Sequence, residues 1–221
     1  MTSSATARAL APGDRLVLAT HNRGKLAEFE LLLRGTGITL ASAAEFGLAE
    51  PEETEDSFAG NARLKAVAAS GACGLPALAD DSGFCLAALD GAPGIYSARW
   101  AGPGRDFGLA MRRVHEALAA STTPADHRAW FISVMCLAWP DGRTELFEGR
   151  IDGAFCWPPQ GSHGHGYDPV FLPDGSALRF AEMAEADKNR ISHRGRCFER
   201  FAAACLPTHQ PANAPPGAPD R

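Results

Sequence analysis

Two adjacent carboxylates, Asp80 and Asp81, follow the apolar run Leu75-Pro76-Ala77-Leu78 and lead into Ser82-Gly83. That order predicts acid groups at the end of a strand, where sites of α/β proteins commonly sit. Neighbouring carboxylates repel when both are ionised, so the pair needs a cation, most simply a divalent metal. Asp-Asp-Ser-Gly also reads as an ordinary exposed turn. A second acidic pair, Glu52-Glu53, lies within the loop Glu50-Pro51-Glu52-Glu53-Thr54-Glu55-Asp56. Hard carboxylate oxygens without His or Cys companions favour magnesium or manganese over zinc. Magnesium in phosphate chemistry is held by one or two carboxylates together with the substrate phosphates. The same glutamates equally suit a solvated loop ahead of a helix start.

Three further stretches carry polar chemistry. Thr20-His21-Asn22-Arg23-Gly24-Lys25 joins a strand to a helix. Free N–H groups at a helix start suit a phosphate, Gly24 permits close approach, and Lys25 adds a mobile charge. The spacing is not that of a Walker A loop, and a plain helix cap by Thr20 or Asn22 is the competing reading. Lys188-Asn189-Arg190-Ile191-Ser192-His193-Arg194-Gly195 gathers donors around a helix start at Ser192. Cations there oppose the helix dipole, which points to a compensating anion or acceptor-rich ligand. Gly161-Ser162-His163-Gly164-His165-Gly166-Tyr167-Asp168-Pro169 reads as a ring-lined binding loop rather than a metal site, because no Cys or acid has suitable local spacing.

The elements that must position these residues follow from periodicity. Strands are predicted at 15–19, 38–41, 75–79, 84–89 and 170–172, with the Asp-Asp-Ser-Gly turn separating the third from the fourth. Arg128 to Trp139 and Arg143 to Gly153 form a hairpin about Pro140-Asp141-Gly142. Helices are predicted over 26–34, from Asp56 or Ser57 onward, over 106–120 and over 192–205. The hairpin excludes a wholly parallel sheet, so the fold class is α/β with a central mixed sheet and flanking helices.

The chain has 221 residues, enough for a real core, with 45% hydrophobic and 21% charged residues. A net charge of −5 without a basic tract argues against a nucleic-acid surface. No apolar run is long enough to span a bilayer. Six scattered cysteines without a Cys-x-x-Cys pair fit a reducing cytoplasm. Residues 1–14 are expected to form a flexible leader, 15–206 a single catalytic domain, and the Pro/Ala-rich 207–221 a disordered tail.

Taken in order, Leu18-Ala19-Thr20-His21-Asn22-Arg23-Gly24-Lys25, Ala79-Asp80-Asp81-Ser82-Gly83, Gly91-Ala92-Pro93-Gly94-Ile95-Tyr96-Ser97-Ala98-Arg99, Gly166-Tyr167-Asp168-Pro169 and Ile191-Ser192-His193-Arg194-Gly195 resemble the inosine triphosphate pyrophosphatase family, also called XTP/dITP diphosphatases. The resemblance runs from about residue 16 to 205. It implies an elongated α/β fold, a homodimer, and magnesium-dependent hydrolysis of ITP, dITP and XTP to the monophosphate and pyrophosphate. It implies Asp81 as the metal-binding, water-activating acid, with Asp80 beside it and Glu52 or Glu53 as a further metal ligand. Thr20 through Lys25 and Lys65 would hold the triphosphate, and Ser82 would contact substrate. His165, Gly166, Tyr167, Asp168, Lys188, His193 and Arg194 would surround base and sugar, with His193 and Arg194 as donors to the purine 6-oxo group. This chain departs from the family at His21, where a small residue is usual, and at His165, where Phe is common and stacks on the purine. A Maf-like pyrophosphatase acting on pyrimidine or modified nucleotides is the enzyme alternative, and a non-catalytic nucleotide sensor the other. Ser192-His193-Arg194-Gly195 argues against the first, and Lys25 with the Asp80-Asp81 pair against the second.

Overall fold

The computed structural model describes residues 9–21, 23–49 and 51–206. Among them, six strands form one sheet: β1 (Arg15–Leu18), β2 (Thr39–Ser42), β3 (Ala77–Leu86), β4 (Arg128–Ala138), β5 (Thr144–Phe155) and β6 (Phe171–Pro173). The spatial order is β2-β1-β3-β4-β5-β6. β1 pairs in parallel with β2 and β3, whereas β3, β4, β5 and β6 run antiparallel in succession. The expected mixed α/β sheet is therefore present. Leu16, Val17 and Leu18 are fully buried, as a parallel strand covered on both faces should be. The β4–β5 hairpin closes over Pro140-Asp141-Gly142-Arg143, where Gly142 takes a φ of 84° that other residues resist.

β3 departs from expectation. Instead of two strands flanking a turn, residues 77–86 form one continuous strand, registered against β4 from Ala77↔Ala138 to Leu86↔Ala129. Asp80 and Asp81 thus lie in mid-strand, not at a strand end. The turn propensity of Asp-Asp-Ser-Gly yields because the β4 ladder takes up its backbone groups and distant cations neutralise its carboxylates. β1 pairs with β3 only at Ala77 and Leu78. Beyond Leu78, β3 keeps β4 on one edge and opens the other to a cleft, until Cys85 bridges to Pro93.

Six helices flank the sheet among the described residues: α1 (Arg23–Leu32), α2 (Phe58–Cys73), the single turn α3 (Ser97–Trp100), α4 (Phe107–Ala119), α5 (Glu185–Ile191) and α6 (His193–Cys205). The starts of α2, α4 and α6 are capped by the side chains of Ser57, Asp106 and Ser192, which accept from backbone N–H groups three residues on. On one face of the sheet, Phe29 of α1 and Phe198 and Phe201 of α6 pack over Leu18, Leu78 and Met135. Each such ring contributes about 1.5–3 kcal/mol by burial. Phe84 lies an even number of residues from Leu78 and so shares that face. With Phe131, Phe171 and α4 it builds a second core cluster. On the opposite face, Ala62 and Ala66 of α2 lie against Ala79, Val134 and Cys136.

Residues 9–14 are tied to the fold at Leu10, Gly13 and Asp14. Leu10 is buried in the α1–α6 core and its N–H donates to Cys205 O at 2.9 Å, so the flexibility expected of residues 1–14 does not hold at Leu10. Residues 1–8 and the 207–221 tail lie outside the described residues.

Candidate active site

Successive side chains of β3 point to opposite faces of the sheet, and this alternation divides the acidic pair. Asp80 faces α1 and α6. Lys25 Nζ lies 2.7 Å from each of its carboxylate oxygens. Burial alone would raise this carboxyl, but the charges of Lys25 and Arg194, the Lys25 hydrogen bond and the Lys65 charge hold it down at about 2. Asp81 faces α2. Asn61 Nδ2 donates to its Oδ2 at 3.2 Å, and Lys65 Nζ stands 3.8 Å from its Oδ1. Burial pushes Asp81 up to about 6, against the pull of Lys65 and Asn61 and with help from the charges of Glu53 and Asp80. The expectation that one metal ion balances two neighbouring acids is corrected accordingly. Each acid has its own lysine, and the strand backbone runs between them.

Glu53 reaches the same lysine as Asp81: Lys65 Nζ donates to Glu53 Oε1 at 2.8 Å. Its backbone carbonyl accepts from Arg99 at 3.0 Å. Lys65 is only 6% exposed. Burial works against its charge, yet Asp81 and the Glu53 hydrogen bond keep its ammonium above the usual lysine range. Glu53 and Asp81 line the cleft, whereas Glu52 is exposed and does not. Adjacent loop residues turn opposite ways, so the pair supplies one inward acid.

Among the described residues no three His, Cys, Asp or Glu side chains gather as a ready metal cluster. Magnesium requires less, because phosphates and water complete its shell. Glu53 and Asp81 fit that requirement: two carboxylates share one ammonium, and the raised Asp81 marks a shortage of positive charge that a divalent cation would meet. Asp80 does not fit, since both its oxygens are engaged by Lys25.

The cleft is a cavity of about 1060 Å³, large enough for a nucleotide, that wraps round the open edge of β3. Thr20, His21, Lys25, Lys65 and Ser82 line one part of it. Asn22 lies outside the described residues, as does the Arg23 side chain, and Gly24 enters only as α1 backbone. The other part is built by the Gly-His loop and the α5–α6 junction. Asp168 organises that loop: its Oδ2 accepts from His165 N at 2.8 Å and from Lys188 Nζ at 2.5 Å. Gly164 is required there, because a β-carbon would collide with the Asp168 carboxylate. Tyr167 supports the wall more than it offers a group, with its ring stacked 5.0 Å from Phe84 and its hydroxyl donated to Ser97 O. His165 stands at the mouth beside Gly166. Enclosure by the protein lowers its pKa, opposed by Asp168 and reinforced by Lys188, Arg194 and Lys25.

His193 lies deeper. Its ring stacks on Phe131 with centroids 4.8 Å apart and planes 10° from parallel. Burial, then Arg194 and Lys188, drive its pKa well below the ordinary value, so the imidazole is neutral at pH 7. Its buried Nδ1 has no hydrogen-bond partner among the described residues. An unmet buried nitrogen costs about 1–3 kcal/mol. Neutrality leaves Arg194 and Lys188 as the cations beside the α6 start. Sequence reasoning missed Asn61, Phe84 and Phe131, although Asn61 sits four residues before Lys65, the spacing that puts both on one helix face.

A mixed sheet whose open strand edge carries acids on both faces, within a cavity also lined by lysines, has the room and charge for a nucleotide. Residues 16–204 match the Ham1 family, and the chain belongs to that family. It is similar to the dITP/XTP pyrophosphatase of Gluconobacter oxydans (strain 621H), with 57% identity over 201 residues covering 91% of this chain and 95% of the relative. A second relative, the dITP/XTP pyrophosphatase of Ruegeria pomeroyi, is 54% identical over 196 residues, 88% of this chain and 96% of its own. Among solved structures, a HAM1 protein from Coxiella burnetii superposes with a TM-score of 0.83 at 38% identity, covering 86% of this chain and 97% of that one.

Proposed function

We propose that this protein hydrolyses deaminated purine nucleoside triphosphates, ITP, dITP and XTP, to the monophosphate and pyrophosphate with magnesium. The observation that carries the reading is the pairing, in one cavity, of the Glu53–Lys65–Asp81 cluster with a neutral His193 beside Arg194. The family relatives named as dITP/XTP pyrophosphatases support it.

Lys25 and Lys65, with the loop around Thr20, offset the triphosphate charge. Asp81, ionised above about pH 6, orients a water molecule and accepts its proton. Magnesium, held by Glu53 and Asp81 with substrate phosphates, would supply charge neutralisation for the attacked phosphorus and the leaving pyrophosphate. At the base, His193 and Arg194 present donors to a 6-oxo group. Adenine offers a 6-amino donor instead and leaves those groups unmet, at about 1–3 kcal/mol for each. Substrate stacking on His165 belongs to the same reading. So do a homodimer and a cytoplasmic location, which rest on the family resemblance and on six cysteines that are all free. No helix among the described residues is long and apolar enough to cross a membrane.

A nucleoside triphosphate panel with magnesium tests the reading. ITP, dITP and XTP should release pyrophosphate as the first product, and ATP should be nearly inert. Equal rates on ATP and ITP would defeat it. Pyrimidine preference would favour the Maf-like alternative, and binding without turnover the sensor.

A further inference from the structure

Given the nucleotide hydrolysis proposed above, we propose that Asn61 is a positioning residue that sets the aim of Asp81 and its separation from Glu53. Asn61 is 1% exposed and sits in the first turn of α2. Its amide makes two different bonds. Nδ2 donates to Asp81 Oδ2 at 3.2 Å, and Oδ1 accepts from the backbone N–H of Glu55 at 3.1 Å. The second bond fixes which end of the amide meets Asp81, because only an acceptor can take the Glu55 N–H. One buried side chain thereby ties the strand acid to the loop that carries the other acid.

Lys65 lies four residues further along α2, on the same helix face, and bonds Glu53. Asn61 and Lys65 act as two rungs between α2 and the loop over residues 53–55. The loop lies close because residue 60 is glycine: a β-carbon there would stand 2.7 Å from Glu55 Cβ. With Oδ2 held by Asn61, Asp81 keeps Oδ1 turned toward Lys65 and the Glu53 carboxylate. Without Asn61, Asp81 would be held through Oδ1 alone, by the Ser82 N–H at 3.0 Å and the Lys65 charge, and the loop would keep Arg99 on Glu53 O but lose its anchor at Glu55 N–H.

Two variants separate these roles. Asn61→Ala removes both bonds. Asn61→Asp keeps the acceptor for Glu55 N–H but replaces the donor with an acid beside Asp81. Manganese binding to the nucleotide-free protein, read by electron paramagnetic resonance, should weaken about 10–100-fold in N61A, the usual effect of losing a partner that orients a metal ligand. N61D should lose kcat by a similar factor while its KM for ITP at saturating magnesium stays close to wild type, and its melting temperature should fall because a second buried acid stands against Asp81. Wild-type manganese affinity in N61A, or wild-type kcat in N61D, would show that Asn61 serves the fold alone and overturn the proposal. If the wild-type protein turns over no deaminated triphosphate, the hydrolytic reading fails, while the manganese comparison still decides the role of Asn61.

Discussion

Replacing Lys25 by methionine removes the partner of a buried carboxylate and keeps most of the side-chain volume. The Asp80 side chain is 3% exposed and that of Lys25 22%. Asp80 is held at about 2 instead of its ordinary 3.8, which corresponds to about 2 kcal/mol of stabilisation at neutral pH. Breaking a buried pair by deleting one partner costs about 3–5 kcal/mol, and the residual fields of Arg194 and Lys65 lower that cost. Lys25→Met should therefore lose about 2–4 kcal/mol at pH 7, measured by urea unfolding of nucleotide-free protein through tryptophan fluorescence. In the wild type, the Asp80 contribution is fully present above pH 3.8 and is lost as pH falls through about 2. In Lys25→Met, the folded pKa of Asp80 rises above its unfolded value and the sign reverses. The variant should then be closer to wild type at pH 5 than at pH 7. A double variant, Lys25→Met with Asp80→Asn, should regain most of the loss. A Lys25→Met protein within about 0.5 kcal/mol of wild type at pH 7, or a double variant no better than the single, would refute the reasoning.

Asp81→Asn should lower kcat by about 10²–10⁴-fold with the fold retained, and near wild-type turnover at saturating magnesium would reduce Asp81 to a structural residue. Because the folded pKa of Asp81 is raised to about 6, its contribution to stability is present below pH 3.8 and lost as pH rises through 6. The same variant should accordingly be more stable than wild type by about 2–3 kcal/mol at pH 8, by urea unfolding. His165→Ala should weaken ITP binding by about 1–3 kcal/mol, the worth of a base-stacking ring, whereas His165→Phe should retain it. With the His165 pKa lowered, the pH dependence of KM that His165→Phe removes should lie below about pH 6.5, and an unchanged KM in both variants would place the ring in solvent.

The sequence displayed those elements whose determinants are local. Pro140-Asp141-Gly142 marked the hairpin, while Ser57 and Ser192 marked the starts of α2 and α6. The short helix α5 gave no such signal, because none of its residues is buried and it has no apolar stripe to recognise. β3 was misread for the opposite reason: its local chemistry says turn, and what overrides it comes from far along the chain. Lys25 lies 55 residues from Asp80, and Asn61 lies 20 from Asp81. Asp80, Asp81, Glu53, Lys25 and His193 lie in motifs that spacing could find, whereas Asn61 did not stand out, and their division of labour depends on which face each side chain takes. Two adjacent acids look like a pair in sequence and are separated by the sheet in space. His193 shows the same limit, since its neutrality follows first from burial that no local pattern announces.

The position of the acids in mid-strand also bears on how the chain can vary in length. Residues 77–86 have a side-chain period of two and a fixed register against β4. Deleting or inserting a single residue between Ala77 and Asp80 would turn each acid to the other face. A deletion would set Asp81 opposite Lys25 and Ser82 opposite Asn61 and Lys65, whereas an insertion would set Asp80 opposite Asn61 and Lys65 and leave Lys25 facing Ala79. A change of two residues would restore the faces but move both acids along the cleft by about 7 Å. Neither shift can be absorbed by repacking, because the error lies in the ladder. Length changes should instead be tolerated in the exposed connection near Thr122 to Ala125, between α4 and β4, which lines no part of the cavity.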